Sequence, residues 1–254
     1  MKMKIIYSAV MKIAVVALLV TSIPAYASEM DDRIESSAKK SYVFKTYLKD
    51  DDIKIESMDG AVILTGVVSA EYHKPLAQET ITGLPGVKSV DNRLEVKGAP
   101  STANSDAWLR DKVKATLLFH HSVMSSGTTE VDVKDGIVTL RGDANSQALK
   151  NLTTEYAKDI EGVKDVKNEM TVTKTPKKAQ TVGEKIDDAS ITAQVKIMLL
   201  YHRSTSAINT KVETNDGNIT LYGKAGNAAE FDLATKLARD VNGVKSVNNR
   251  MTIE

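Results

Sequence analysis

Four histidines and a set of carboxylates are the side chains here that could bind a metal or move a proton near neutral pH; cysteine is absent. Its absence excludes thiolate metal sites, cysteine nucleophiles, disulfide staples and a lipid-bearing amino-terminal cysteine. His73, His120, His121 and His202 show no H-E-x-x-H spacing. His120 and His202 fall seven residues after Val113 and Val195, near the end of a helix, where a histidine interacts favourably with the helix dipole. One such residue per unit makes no metal site within a unit, though two units can bring theirs together across an interface. Asp50-Asp51-Asp52 lacks the alternating oxygens and bidentate glutamate of a calcium loop and reads as a solvated loop. Asp59, Asp135 and Asp216 each open a turn with the glycine that follows, rather than converging as a catalytic pair. No G-x-G-x-x-G or Walker pattern implies a nucleotide, and no local Ser-His-Asp or Cys-His arrangement presents itself. The expectation is no catalytic residue, no cofactor and no metal.

One stripe invites a different chemistry. Trp108, Lys112, Ala115 and Phe119 follow helical spacing; in the third repeat the stripe reads Ser190, Gln194, Ile197 and Tyr201, with Arg203 just beyond. Aromatic rings beside basic groups suit the headgroup level of a membrane. The alternative, which the shortage of aromatics (5%) favours, is that the same rings pack against a neighbouring unit. Trp108, Lys112, Phe119, Tyr201 and Arg203 are therefore the candidate lipid or partner contacts.

The elements that position these residues come from an internal repeat. Asp59-Gly60 recurs as Asp135-Gly136 and Asp216-Gly217, at offsets of 76 and then 81 residues. Gly66, Gly142 and Gly223 keep those offsets, as do Gly86-Val87, Gly162-Val163 and Gly243-Val244, and Asn92, Asn168 and Asn249. Each unit opens with a helix: Leu109, Val113, Leu117 and Ile191, Val195, Leu199 recur every fourth residue, with Asp106 and Asp187 or Asp188 as N-caps. A short strand, the Asp-Gly hairpin through Gly60, Gly136 or Gly217, and an alternating strand follow. A second helix ends at Gly86, Gly162 or Gly243, taken as left-handed C′ residues, and a last strand closes the unit. The fold class is thus α+β: three tandem α-β-β-α-β units, each with two helices on one face of a three-stranded mixed sheet. Pro75 should kink or delay the second helix of unit one, whose first helix offers only Ile34, Ala38 and Tyr42.

Lys2, Lys4 and Lys12 precede an apolar run from Ile13 to Val20, and Ala25-Tyr26-Ala27 follows: a signal peptide over 1–27. Units then span 28–98, 106–173 and 187–254, joined by linkers at 99–105 and 174–186 rich in Pro, Gly and small polar residues. The net charge of +1 becomes −2 once the three leader lysines leave, which argues against nucleic acid. Processing would leave no integral membrane span.

The Asp-Gly hairpin, the strand closing in Gly66, Gly142 or Gly223, and the ending Gly-Val-Lys-x-Val-x-Asn at 86–92, 162–168 and 243–249 resemble the BON domain. That resemblance, with the leader, implies a periplasmic protein of a Gram-negative-like envelope. It further implies a non-enzymatic role under envelope or osmotic stress, with phospholipid contact or chaperone-like behaviour. The expected partners are an anionic phospholipid surface or an unfolded client; the alternative is a scaffold whose repeats bind another envelope protein.

Overall fold

A computed structural model of the chain describes residues 25–98, 105–120, 123, 129–173, 185–205 and 210–254. The leader lies outside them up to residue 24, as do residues 99–104 and 174–184 of the linkers. Unit one comprises α1 (Ala25–Lys40), α2 (Tyr42–Thr46), β1 (Asp52–Met58), β2 (Ala61–Val68), α3 (His73–Thr82) and β3 (Ser89–Val96). Unit two comprises α4 (Asp106–Phe119), β4 (Thr129–Lys134), β5 (Ile137–Ala144), α5 (Gln147–Lys158) and a third strand in two pieces, β6 (Asp165–Asn168) and β7 (Thr171–Val172). Unit three repeats it with α6 (Asp188–Tyr201), β8 (Thr210–Asn215), β9 (Asn218–Ala225), α7 (Ala228–Asp240), β10 (Ser246–Asn249) and β11 (Thr252–Ile253). In every sheet the middle strand pairs antiparallel with the first and parallel with the third, so Leu64 stands opposite both Ile55 and Asn92. The α+β reading and the mixed sheet hold.

Local chemistry sets the hairpins. Asp59, Asp135 and Asp216 have φ of 53, 54 and 48°, and Gly60, Gly136 and Gly217 have 81, 80 and 76°, the double positive φ of a type I′ turn. Each turn is clamped from the first helix. Asp31 accepts from the amides of Asp59 and Gly60 (2.8 and 3.0 Å), Asp106 from Asp135 and Gly136 (2.8 and 2.9 Å), and Asp188 from Asp216 and Gly217 (2.7 and 2.8 Å). In unit three the N-cap is Asp187, one of the two expected; in unit two it is Ser105 rather than Asp106, which sits inside the helix with its carboxylate on the turn. The Ser57 hydroxyl and the Gly60 amide hold the Asp31 carboxyl below its ordinary range, and the Gly136 and Asp135 amides do so for Asp106.

Asn92, Asn168 and Asn249 fasten the third strand to the second helix. Asn168 donates to the Lys150 carbonyl and the Thr154 hydroxyl (both 2.8 Å) and accepts from the Met170 amide (3.0 Å); Asn249 repeats this with Phe231, Thr235 and Met251. Asn92 uses Lys74, Gln78 and Leu94. Gly86, Gly162 and Gly243 do have positive φ, but they are not C′ residues. The helices stop at Thr82, Lys158 and Asp240, and the glycines stand third in four-residue turns closed by Val87→Leu84, Val163→Ile160 and Val244→Val241. Pro75 falls in the first turn of α3, where it is tolerated; the helix starts two positions later than its counterparts.

Helix α6 is the centre of the molecule. All but Asp188, Lys196 and Leu200 of its residues are buried. A helix apolar all round is covered all round, and α6 packs on α3, α4 and α7, one from each unit. Gly83 brings α3 close: a Cβ there would lie 3.3 Å from the Ala189 Cα.

Candidate functional site: the junctions between units

Unit one docks on unit three through the amino-terminal end of α6. The Tyr42 amide donates to Asp187 (2.7 Å) and the Val43 amide to the Ser190 hydroxyl (3.0 Å), so the exposed amides of the short helix α2 are satisfied by another unit. Glu79 pairs with Lys196 at 2.7 Å, and the Glu71 amide donates to Asp111 of unit two (3.2 Å). Rings fill the space between: Phe119 is fully buried, with Tyr47 at 5.2 Å and Tyr72 at 6.3 Å between centroids, both edge-on. Burial pushes the Tyr72 hydroxyl up to about 12, and the Asp111 and Asp51 carboxylates add to that.

Units two and three meet reciprocally. The end of α4 bridges the end of α7 (His120 with Val241), and the end of α5 bridges the end of α6 (Ile160 with His202). The Asn242 amide donates to Phe119 (3.2 Å), Glu161 to Tyr201 (3.3 Å) and Arg203 to Asp159 (2.9 Å). Beside each bridge a buried histidine faces a carboxylate of the other unit: His120 Nε2 to Asp240 and His202 Nε2 to Asp159, both 3.7 Å. Tyr156 donates to Asp240, and its ring centroid lies 4.1 Å from that of His120 with the planes tilted by 59°. Burial raises the Asp240 carboxyl, while the neighbouring His120 ring and the hydrogen bond from Tyr156 outweigh it, leaving it below the ordinary range. A cleft of about 50 Å³ opens here, bordered by Leu152, Glu155, Asp159, His202, Leu233 and Lys236. That is room for water rather than for an organic ligand, whose sites run to several hundred Å³. Unit one cannot join in this way. Pro85 occupies the position of Glu161 and Asn242 and has no amide to donate.

Lys112, Phe119, Tyr201 and Arg203 lie at these junctions, and Trp108 stands beside Lys112. Lys112 is 5% exposed; its Nζ lies 3.6 Å from the Trp108 ring centroid, 5.1 Å from that of Tyr201 and 3.8 Å from the exposed Glu161 carboxylate. Burial pulls the lysine down, against the pull of Glu161. Phe119 and Tyr201 are buried, Trp108 half-buried, and the Arg203 guanidinium donates to the carbonyls of Lys158, Ile160 and Val163 across the junction. Little of Lys112, Phe119 and Tyr201 is exposed, while the Trp108 ring stays partly open to solvent.

Ser69, His73 and Asp51 come together, yet not as a catalytic triad. Both partners meet the same ring nitrogen, Nδ1 (Ser69 Oγ at 3.4 Å, Asp51 at 2.5 Å), whereas a relay needs one on each nitrogen. Asp51 also accepts from the Ser69 amide at 2.8 Å, so it is a buried lock rather than part of a solvated loop. Among the described residues no three His, Asp or Glu side chains converge as metal ligands. The sequence reading passed over Asp159, Asp240 and Tyr156. The signal was available: the two aspartates recur at the 81-residue offset and the two histidines recur 82 residues apart, while unit one has Gly83 in the place of the aspartates and Lys45 in the place of the histidines.

Three copies of one small α-β-β-α-β unit gathered on a shared helix define a tandem-repeat α+β protein held together by junction side chains. The chain belongs to the BON domain family, whose model matches residues 30–98, 105–174 and 187–254. It is 32% identical over 201 residues to the osmotically-inducible protein Y of Escherichia coli (strain K12), covering 78% of this chain and 95% of that relative. It is 29% identical over 146 residues to the outer membrane lipoprotein DolP of Haemophilus influenzae, covering 58% and 73% respectively. A solved structure of CdsD, a structural protein of the Type III secretion system of Chlamydia trachomatis, is 15% identical over 89% of this chain and 92% of its own. Its TM-score of 0.24 carries no weight for the arrangement of the units.

Proposed function

We propose that the chain is a secreted, non-catalytic binding protein of a Gram-negative-type envelope, serving under osmotic stress, and that its BON units engage unfolded client segments. The leader over 1–27 supports export to the periplasm, and relatives named for osmotic induction and for the outer membrane support the setting. No helix among the described residues is long and apolar enough to cross a membrane.

The observation that carries the client reading is how the side chains are divided. The aromatic and basic groups of the first helices hold the units together, while each outer strand is hydrogen-bonded on one side within its three-strand sheet. Open strand edges offer main-chain donors and acceptors to an extended segment. Lys54 and Glu56 on β1, Glu130 and Asp132 on β4, and Lys211 and Glu213 on β8 are exposed charges of the kind that guard edges against self-pairing. Phospholipid contact through Phe119 and Lys112 would require unit one to leave the first and unit three the second.

The test uses the processed full chain with a model client unfolded by reduction, followed by light scattering, and flotation with zwitterionic and anionic vesicles beside it. The expected result is suppressed aggregation near equimolar ratio without flotation. Unchanged aggregation together with flotation on anionic vesicles would overturn the client reading in favour of lipid.

A further inference from the structure

We propose that the reciprocal junction of units two and three is a pH-sensitive latch, in which protonation of His202 on mild acidification opens its Ile160–His202 half before the other half. The geometry at His202 is that of a neutral imidazole. Its Nδ1 accepts the backbone amide of Ser204 at 3.1 Å, and an amide can only donate, so Nδ1 carries no proton. The proton therefore sits on Nε2, facing Asp159. A second proton would have to enter at Nδ1, setting one N–H against another and breaking the turn that places Arg203 against Asp159. His202 is 7% exposed, so the added charge would also be poorly solvated.

The groups facing the ring come from three segments. Arg203 follows it in its own turn, Glu155, Tyr156 and Asp159 come from α5 and its end, and Lys236 from α7. Two cations already stand there against two carboxylates, and the Asp159 side chain is 51% exposed, so solvent weakens its compensation. Burial, ahead of the attraction of Asp159, sets the affinity of His202 for a second proton below the ordinary histidine value. The sign follows: the opened state binds the proton more readily, so the latch is fully closed above about pH 6.5 and loosens as the pH falls below it. The His120 half is built differently. There Tyr156 donates to Asp240 and braces it, where unit three carries Leu237 in the place of Tyr156.

Hydrogen exchange of the full chain at pH 7.5 and pH 5.0, corrected for intrinsic rates, reads each half through its own bridging amides. The expected result is a several-fold greater loss of protection at Glu161 and Arg203 than at Asn242. His202→Gln, which offers a non-titrating acceptor, should abolish the difference. Should that variant not fold, an NMR titration of the wild-type histidines decides, with His202 expected to titrate below 6.5. Equal loss at both halves, no loss at either, pH dependence surviving in His202→Gln, or His202 titrating at or above 6.5 would overturn the latch.

Discussion

Replacing Asn168 by alanine removes the fastener between strand β6 and helix α5 of unit two while leaving the hydrophobic core intact. Three hydrogen bonds go: two donated by Nδ2 to the Lys150 carbonyl and the Thr154 hydroxyl, and one accepted from the Met170 amide. A typical intramolecular bond contributes about 0.5–1.5 kcal/mol net, so three suggest a loss of roughly 2–4 kcal/mol. The Thr154 hydroxyl still donates to the Lys150 carbonyl at 3.1 Å, which pulls the figure toward the lower end. For a unit of about 70 residues each kcal/mol moves Tm by about 4–8 °C, so the melt of the unit carrying the change should fall by roughly 8–32 °C. Differential scanning calorimetry of the full chain reads this, because a loss confined to unit two should split or broaden the transition. Asn168→Asp is the sharper companion. It keeps the acceptor for the Met170 amide but turns a carboxylate toward the Lys150 carbonyl, and should cost at least as much as alanine. A shift of Asn168→Ala smaller than about 2 °C would show that the recurring asparagine does not fasten strand to helix.

Gly136→Val forces a β-branched residue to φ +80°, and urea unfolding should show a loss of about 1–3 kcal/mol; wild-type stability would contradict the type I′ assignment. Lys112→Met keeps the aliphatic stem among Trp108 and Tyr201 and removes a buried charge, so stability should stay level or rise; a marked drop in the thermal melt would mean the ammonium itself holds the junction. Asp31 and Asp106 bind their proton more weakly folded than unfolded, so their contribution is present above the unfolded carboxylate value near 3.8 and fades as the pH falls through the lowered folded value. Urea unfolding of Asp106→Asn should therefore show its largest deficit at pH 6 and a shrinking one toward pH 3; a deficit constant across that range would contradict the clamp.

Much of the fold was legible because its signals are local. An Asp-Gly pair between alternating strands dictates positive φ whatever lies elsewhere, and three pairs in register identify three units. The position of Asn168 was legible too, but its task was not, since its helix partners lie 14 and 18 residues earlier. Gly162 was misassigned to a helix end because a left-handed glycine serves a C′ position and a turn equally well; the helix actually stops at Lys158. The site was harder still. The spacing of Ile191, Val195 and Leu199 reports the face that α6 turns to its own sheet, whereas Ala189, Ala193 and Ile197 are buried as well. A helix buried on every side has no period that tells one neighbour from another. Trp108 and Phe119 announced either burial or a membrane, because both surroundings favour a large ring with an apolar body.

Trp108 is the single tryptophan of the chain, so its fluorescence reports on that flank alone. The most direct measurement is its emission and quenching in the processed chain, alone and with anionic vesicles carrying brominated acyl chains. If the flank joins the units, Trp108 will be partly shielded from iodide, and the vesicles will neither quench it nor shift its emission. Quenching by the brominated lipid with a blue shift would place Trp108 in the bilayer interface and contradict the junction.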